Sequence, residues 1–211
     1  MYLIVKRILD FLFSIIGIIF LIPLYLIIRL AYILTGDFHR IFYTQDRVGK
    51  NGKIFKMYKF RTMCIDAEKK LEEMLKKEKY KKEWDEFHKI ENDPRITKVG
   101  KFLRHGSLDE FPQFLNVLIG QLSFVGPRPL VPGELEAYHG NKKLYWSVKP
   151  GITGWWAVNG RSLKNYKDRL TLEYFYIENC SLSLDIKIFL KTIFCVFKKP
   201  ELNKTSVNMV K

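Results

Sequence analysis

FLFSIIGIIFLIPLYLII, Phe11 to Ile28, runs for eighteen residues without one charged side chain. At that length an apolar helix reaches across the hydrocarbon core of a bilayer. Lys6 and Arg7 ahead of it resemble the basic start of a secretory signal. The run is too long for a signal's apolar region, however, and no small-x-small cleavage pattern follows, so the segment is read as retained. Cationic residues flank both ends, with Arg29, Arg40 and Arg47 beyond it. Because positive charge favours the cytoplasmic side, similar flanks argue against a simple crossing. Pro23 lies inside the run, where it removes a helix hydrogen bond and crowds the carbonyl of Ile19. A spanning helix with a tolerated proline and a kinked helix that enters and leaves by one face stand level on these residues.

The rest of the chain is that of a folded domain. Of 211 residues, 47% are hydrophobic and 15% aromatic, which excludes a disordered chain. Lys and Arg number 36 against 22 Asp and Glu, a formal charge of +14, and such an excess calls for a polyanionic partner. Cys64, Cys180 and Cys195 share no metal-ligand spacing and read as reduced thiols. Thr35 to Phe38 makes a turn, and Asn51-Gly52 marks a hairpin before an extended segment, Ile54 to Phe60. Asp66 to Ile90 is rich in helix formers and predicts one long surface helix or two shorter ones, ended by Asn92-Asp93-Pro94. Further helices are expected from about Pro112 to Leu118 and from Pro132 to Lys143. Lys149 to Asn159 reads as loop plus short strand. Leu182, Ile186, Phe189, Leu190, Ile193, Phe194 and Phe197 share one helical face, opposite Asp185, Lys187 and Lys191. Such a stripe packs on a core or lies in a membrane interface.

The chemistry concentrates at Ser107-Leu108-Asp109-Glu110-Phe111-Pro112. Ser-x-x-Glu is the pattern of a capping box, which would make Glu110 structural. Pro112 disfavours a helical Phe111 and is preferred at a first helical position, so the helix is expected to start at Pro112. Asp109 and Glu110 then precede a helix N-terminus, whose partial charge would keep them ionised. An ionised carboxylate without a proton-shuttle partner is a candidate nucleophile or Mg²⁺ ligand. Arg104 lies five residues before Asp109, and Pro127-Arg128-Pro129 holds a guanidinium between two stiff residues, a form suited to phosphate. Lys59 and Arg61 add candidate phosphate contacts. His39, His88, His105 and His139 form no metal spacing, and no nucleotide loop, Ser-His-Asp pattern or nucleic-acid motif is present.

KRILD (Lys6–Asp10), RVG (Arg47–Gly49), YKFRTM (Tyr58–Met63), NDPRITKVGKFLR (Asn92–Arg104), SLDEFPQFLNVL (Ser107–Leu118), SFVGPRP (Ser123–Pro129) and PGITGWWAVNGR (Pro150–Arg161) occur in one order. In these motifs the chain resembles the bacterial sugar transferases, the monotopic phosphoglycosyl transferases, in their compact form. The resemblance implies a mostly helical α+β fold with three parts. These are a kinked re-entrant membrane helix over residues 1–36, a catalytic domain over 37–200 with amphipathic interfacial helices, and a tail over 201–211. It implies that Asp109 attacks the β-phosphorus of a UDP-sugar, releases UMP and carries the phosphosugar until a polyprenyl (undecaprenyl) phosphate accepts it. Glu110 would hold Mg²⁺, with Lys59, Arg61, Arg104, Pro127, Arg128 and Pro129 binding substrate and Pro23 as the kink. The expected place is the cytoplasmic face of the bacterial inner membrane. Membrane lipid is an expected partner, nucleic acid is not, and a homodimer is left open.

Two positions depart from the family pattern. Ile22 stands before Pro23 where Ser is common, and Trp156-Ala157 lacks a glutamine that would touch substrate. Gly160-Arg161-Ser162 through Tyr166 and Arg169 lean towards hexose-1-phosphate transferases. The competing class, a non-catalytic membrane scaffold that binds polyprenyl phosphate, needs only the basic charge and the apolar run.

Overall fold

A computed structural model describes residues 1–87, 90–159 and 166–197. The tail 201–211, His88 and the stretch Gly160–Ser162 lie outside the described residues. The elements in chain order are α1 (Tyr2–Leu34), β1 (Phe42–Val48), β2 (Ile54–Phe60), α2 (Ala67–Leu75), α3 (Glu78–Phe87), α4 (Lys98–His105), α5 (Gln113–Leu118), β3 (Ser123–Val125), α6 (Glu134–Ala137), α7 (Lys142–Tyr145), β4 (Gly151–Thr153), α8 (Trp155–Val158), α9 (Tyr166–Asn179) and α10 (Leu182–Phe197). The fold is mostly helical α+β, as expected. Contacts divide the chain into a first unit (Met1–Asp10, Arg47–Phe55 and Gln121–Lys211) and a second (Phe11–Asp46 and Lys56–Gly120).

Among the described residues, α1 alone is long and apolar enough to cross a membrane, by length and composition. Its 33 residues, with Pro23 inside, form one helix, roughly 50 Å long at the standard rise. It outruns the uncharged stretch because Lys6 and Asp10 are not solvent-facing flanks. In the first unit Lys6 Nζ donates to the Val125 carbonyl at 2.9 Å and to Asp185 at 2.7 Å. One turn on, Asp10 accepts the Phe124 N–H at 2.8 Å and the Ser123 hydroxyl at 3.1 Å. The two side chains of KRILD therefore satisfy one edge of β3, while the other edge pairs in parallel with β4, Ser123 opposite Gly151 and Val125 opposite Thr153.

The first unit's core gathers Val125, Leu130, Leu135, Tyr145, Leu170, Tyr176, Ile177 and Ile188. Here α10 is turned opposite to the simple core-packing reading. Ile188 and Asp185 are buried, whereas Ile186, Leu190, Ile193 and Phe194 are exposed, Phe194 at 69%. Asp185 goes inside because Lys6, Tyr2 and Tyr176 all donate to it, and that polar knot fixes the helix's rotation. The single helix expected over Pro132 to Lys143 is replaced by α6 and α7. The break comes at His139, at φ 54°, and Gly140, whose N–H caps the Leu135 carbonyl.

In the second unit α1 packs Leu21, Ile28 and Tyr32 with Ile41, Phe60 and Leu103. The expected Asn-Gly turn joins β1 to β2, which pair as a two-stranded sheet, with Asn51 at φ 59° and Gly52 at φ 74°. The Asp66–Ile90 stretch forms two helices, α2 and α3. Thr97 caps α4 by accepting the Gly100 N–H at 2.9 Å. A Cβ on Gly100 would overlap the Thr62 carbonyl, so the NDPRITKVGKFLR motif needs glycine there.

Candidate functional site

In the second unit Asp109 and Glu110 sit in one 3₁₀ turn, Leu108–Glu110, directly ahead of α5. The hydrophobic residues that bracket them do the holding. Leu108 and Phe111 pack against the core that α1 builds from Leu21 and Ile28. Gly17 of α1 leaves room for the Phe114 ring, which a Cβ would overlap. The acidic pair is thus mounted on the apolar helix by three hydrophobic side chains, Leu108 before it and Phe111 and Phe114 after it.

The capping-box reading does not hold, because Ser107 lies at φ 53°, ψ 22° and its side chain caps nothing. A left-handed serine costs energy that its surroundings must supply. The expected non-helical Phe111 is also corrected. It lies at φ −53°, ψ −39°, and its N–H reaches the Leu108 carbonyl at 3.2 Å. The 3₁₀ turn is tight enough for the chain to pass Pro112 in helical backbone, and α5 begins at Gln113.

Lys59 at the end of β2 donates to Glu110 Oε1 at 2.9 Å, with both side chains about four-fifths buried. The strand that carries Lys59 is fixed by Asn116, fully buried in α5. Its amide accepts the Tyr58 N–H at 3.0 Å and donates to the Lys56 carbonyl at 2.8 Å. Arg104, at the end of α4, donates through Nε to the Thr62 hydroxyl at 2.9 Å. Burial lifts the Asp109 carboxyl above the usual carboxylate range. The Lys59 ammonium pulls it back, the Glu110 charge adds to the rise, and Arg104 opposes it. The expectation that a helix end sets this charge is therefore corrected. α5 has six residues, and the nearby cations are what favour the ionised form.

Arg61 is committed elsewhere in the same unit. Its guanidinium donates to the Arg40 carbonyl at 2.8 Å, the Met63 carbonyl at 3.2 Å and Asp37 at 3.0 Å, and it lies over the Tyr32 ring. That set makes Arg61 a strut joining the residues after α1 to the end of β2.

Pro127, Arg128 and Pro129 belong to the first unit, after β3. The prolines are buried and Arg128 half-buried. The Arg128 guanidinium lies over the Trp156 ring at 5.8 Å, and Arg169 of α9 lies over the same ring at 4.8 Å. Arg169 also faces Tyr166 at 4.9 Å, and Tyr166 stacks on Tyr138 at 3.4 Å. Trp156 thus presents its indole ring to two guanidinium groups, while the position where the family pattern has glutamine is Ala157.

Of the candidates that the sequence singles out, Asp109, Glu110, Lys59 and Arg104 come together in the second unit. Sequence reasoning did not single out Asn116, whose signal is a lone polar residue in the apolar run Phe114 to Leu118, or Thr62, which follows Arg61 with no such signal. It also missed Glu173, which no local pattern marks. Among the described residues no group of three or more His, Cys, Asp or Glu could hold a metal. Mg²⁺ needs fewer protein ligands, since it keeps waters and takes one or two carboxylates together with substrate phosphates. The adjacent carboxylates of Asp109 and Glu110 suit that requirement, with Lys59 already placing a cation on Glu110.

The family model described as bacterial sugar transferase matches residues 1–199. The chain is 42% identical over 197 residues to a UDP-galactose-lipid carrier transferase of Erwinia amylovora, covering 92% of this chain and 41% of that protein. It is 43% identical over 195 residues to an undecaprenyl-phosphate galactose phosphotransferase of Salmonella typhimurium, covering 92% and 40%. The exopolysaccharide production protein ExoY of Sinorhizobium fredii is 41% identical over 189 residues, which cover 89% of this chain and 83% of that protein. The chain thus spans about two fifths of the length of the first two.

Proposed function

This chain belongs to the bacterial sugar transferase family, and from that premise we propose that it transfers a hexose 1-phosphate from a UDP-hexose to a membrane polyprenyl phosphate. The observation that carries this reading is Asp109, half-buried beside Glu110 and in the field of Lys59 and Arg104. Relatives named for transfer to a lipid carrier and to undecaprenyl phosphate support the two substrates.

An Asp109 carboxylate oxygen attacks the β-phosphorus. A P–O bond to Asp109 forms, and the bond from that phosphorus to the bridging oxygen breaks, with the oxygen and its electron pair leaving in UMP. An oxygen of the lipid phosphate then attacks the same phosphorus and the Asp109 carboxylate leaves, giving a polyprenyl diphosphate sugar. Lys59 neutralises Glu110, and with Arg104 it opposes the rise that burial imposes on the Asp109 carboxyl. Mg²⁺, held by Glu110, would supply further positive charge for the diphosphate. Arg128, held between Pro127 and Pro129, would bind a phosphate of the donor.

The exposed side chains of α1 and the outward Ile186, Leu190, Ile193 and Phe194 of α10 suit burial in one leaflet of the inner membrane, on its cytoplasmic face. Pro23 with basic residues on both flanks supports a re-entrant α1 over a crossing one. The test is UMP release from a UDP-hexose without lipid acceptor. The reading expects about one equivalent from the wild-type chain and none from Asp109→Asn. Full release by Asp109→Asn sinks the assignment of the nucleophile, and binding of polyprenyl phosphate with no UMP release by any chain points to the scaffold instead.

A further inference from the structure

Pro127-Arg128-Pro129 offers four main-chain hydrogen-bonding groups: three carbonyls and the Arg128 N–H, since proline has none. Each is met within the first unit. The Pro127 carbonyl accepts the Gly151 N–H at 2.8 Å, and the Pro129 carbonyl accepts Arg47 Nη1 at 2.9 Å. The Arg128 carbonyl accepts the Tyr145 hydroxyl at 3.0 Å. The Arg128 N–H donates to Glu173 Oε1 at 3.1 Å. Three of these partners are ordinary for a rigid turn. Glu173 is not, because its side chain comes from the middle of α9 and it is only 1% exposed.

A neutral amide could accept the same N–H without the cost of burying a charge. Among the described residues Glu173 Oε2 makes no hydrogen bond, so no second donor among them explains the carboxylate. Among the described residues the charged groups that face it are Arg128 after β3 and Arg169 one turn back on α9, with the Tyr145 hydroxyl of α7 beside them. Arg169 is itself paired with Glu134 of α6 at 3.3 Å. What a carboxylate adds over an amide is a stronger, charge-assisted grip on the one main-chain donor of the segment.

We infer that Glu173 is a positioning residue for Arg128: by gripping its main-chain N–H, Glu173 fixes the backbone from which the guanidinium meets a phosphoryl group. The inference rests on the reading of Arg128 as phosphate-binding. Burial also pushes the Glu173 carboxyl up to about 7, with the Arg128 N–H, Arg169 and Arg128 opposing the rise. The grip therefore weakens as pH falls through neutrality, and the amide of Glu173→Gln imitates the weakened form.

The experiment measures UDP affinity by calorimetry, and KM and kcat for the UDP-hexose by UMP release, on the full chain in lipid nanodiscs. At about pH 8, Glu173→Gln should bind UDP roughly fivefold more weakly than wild type, the difference between a charged and a neutral acceptor. Glu173→Ala should be weaker still, with the loss in KM rather than kcat. Wild type should converge on Glu173→Gln as the pH is lowered through 7, while Glu173→Gln stays level. Adding Glu173→Ala to Arg128→Ala should cost nothing further. If Arg128→Ala itself leaves UDP affinity intact, the phosphate-binding reading of Arg128 fails and takes the inference with it. If Arg128→Ala weakens binding but Glu173→Gln does not, or the two losses simply add, the positioning role alone is overturned. Glu173→Gln keeps the shape of the side chain, so this comparison stands even where Glu173→Ala does not fold.

Discussion

Replacing Glu173 with Gln should make the chain's stability less sensitive to pH, by an amount the structure sets. The Glu173 carboxyl titrates at about 7 in the fold against 4.5 for an ordinary glutamate. At about 1.4 kcal/mol per pH unit, a shift of that size corresponds to about 3 kcal/mol. The sign follows from proton binding. Between pH 4.5 and about 7 the folded chain holds a proton that the unfolded chain has lost, so stability falls as pH rises through this window. Below it both states are protonated and the protein has the full benefit. Above it both are ionised and the buried charge costs its full amount. Gln cannot titrate, so the gap in stability between Glu173→Gln and wild type should widen by about 3 kcal/mol from pH 4.5 to 8. Any fixed cost of the amide cancels in that comparison. For a chain of this length the gap in melting temperature should open by roughly 6–12 °C. Differential scanning fluorimetry of both proteins in the same nanodiscs, across that pH range, reads it directly. Parallel melting curves at every pH would refute the reasoning, since they would mean that Glu173 does not titrate in this window.

Lys59→Met removes the ammonium from Glu110 and should lower kcat/KM for the UDP-hexose on the order of 10²-fold, with partial recovery in Lys59→Arg; unchanged turnover would show that the 2.9 Å pair has no part in catalysis. Gly100→Ala forces a methyl against the Thr62 carbonyl and should destabilise the chain by about 1–3 kcal/mol, read as a lower melting temperature, whereas Lys101→Ala on the exposed side of α4 should not. Lys6→Met leaves Asp185 buried with only tyrosine donors and should cost about 3–5 kcal/mol, seen as faster proteolysis in the first unit. For topology, a label that cannot cross membranes should reach Met1 only after cells are opened; labelling of intact cells from outside contradicts a re-entrant α1.

Much of this was legible in the chain. The uncharged run gave α1, Asn51-Gly52 gave the turn, and Asp109 and Glu110 stand out as candidates by their setting between prolines and arginines. What was hidden depends on partners far apart in sequence. Lys6 and Asp10 look like solvated flanks, because nothing near them reveals that β3, more than a hundred residues on, needs their hydrogen bonds. The same knot turns Asp185 inward and leaves Ile186, Leu190, Ile193 and Phe194 outward, a choice between core and interface that a helical periodicity count leaves open. Phe111 shows the limit of a local rule, since a tight 3₁₀ turn overrides the bias that proline imposes on its predecessor. Glu173 is the clearest case. Its meaning lies in an N–H 45 residues away, and by composition it is one more glutamate on a helix.

The central claim is that Asp109 carries the phosphosugar. Mass spectrometry of the chain after incubation with a UDP-hexose and no lipid acceptor tests it most directly. The account predicts one added phosphohexose, mapped to the peptide containing Asp109, absent in Asp109→Asn and discharged when a polyprenyl phosphate is supplied. Turnover by a wild-type chain that never acquires the adduct, or an adduct that persists in Asp109→Asn, would contradict it.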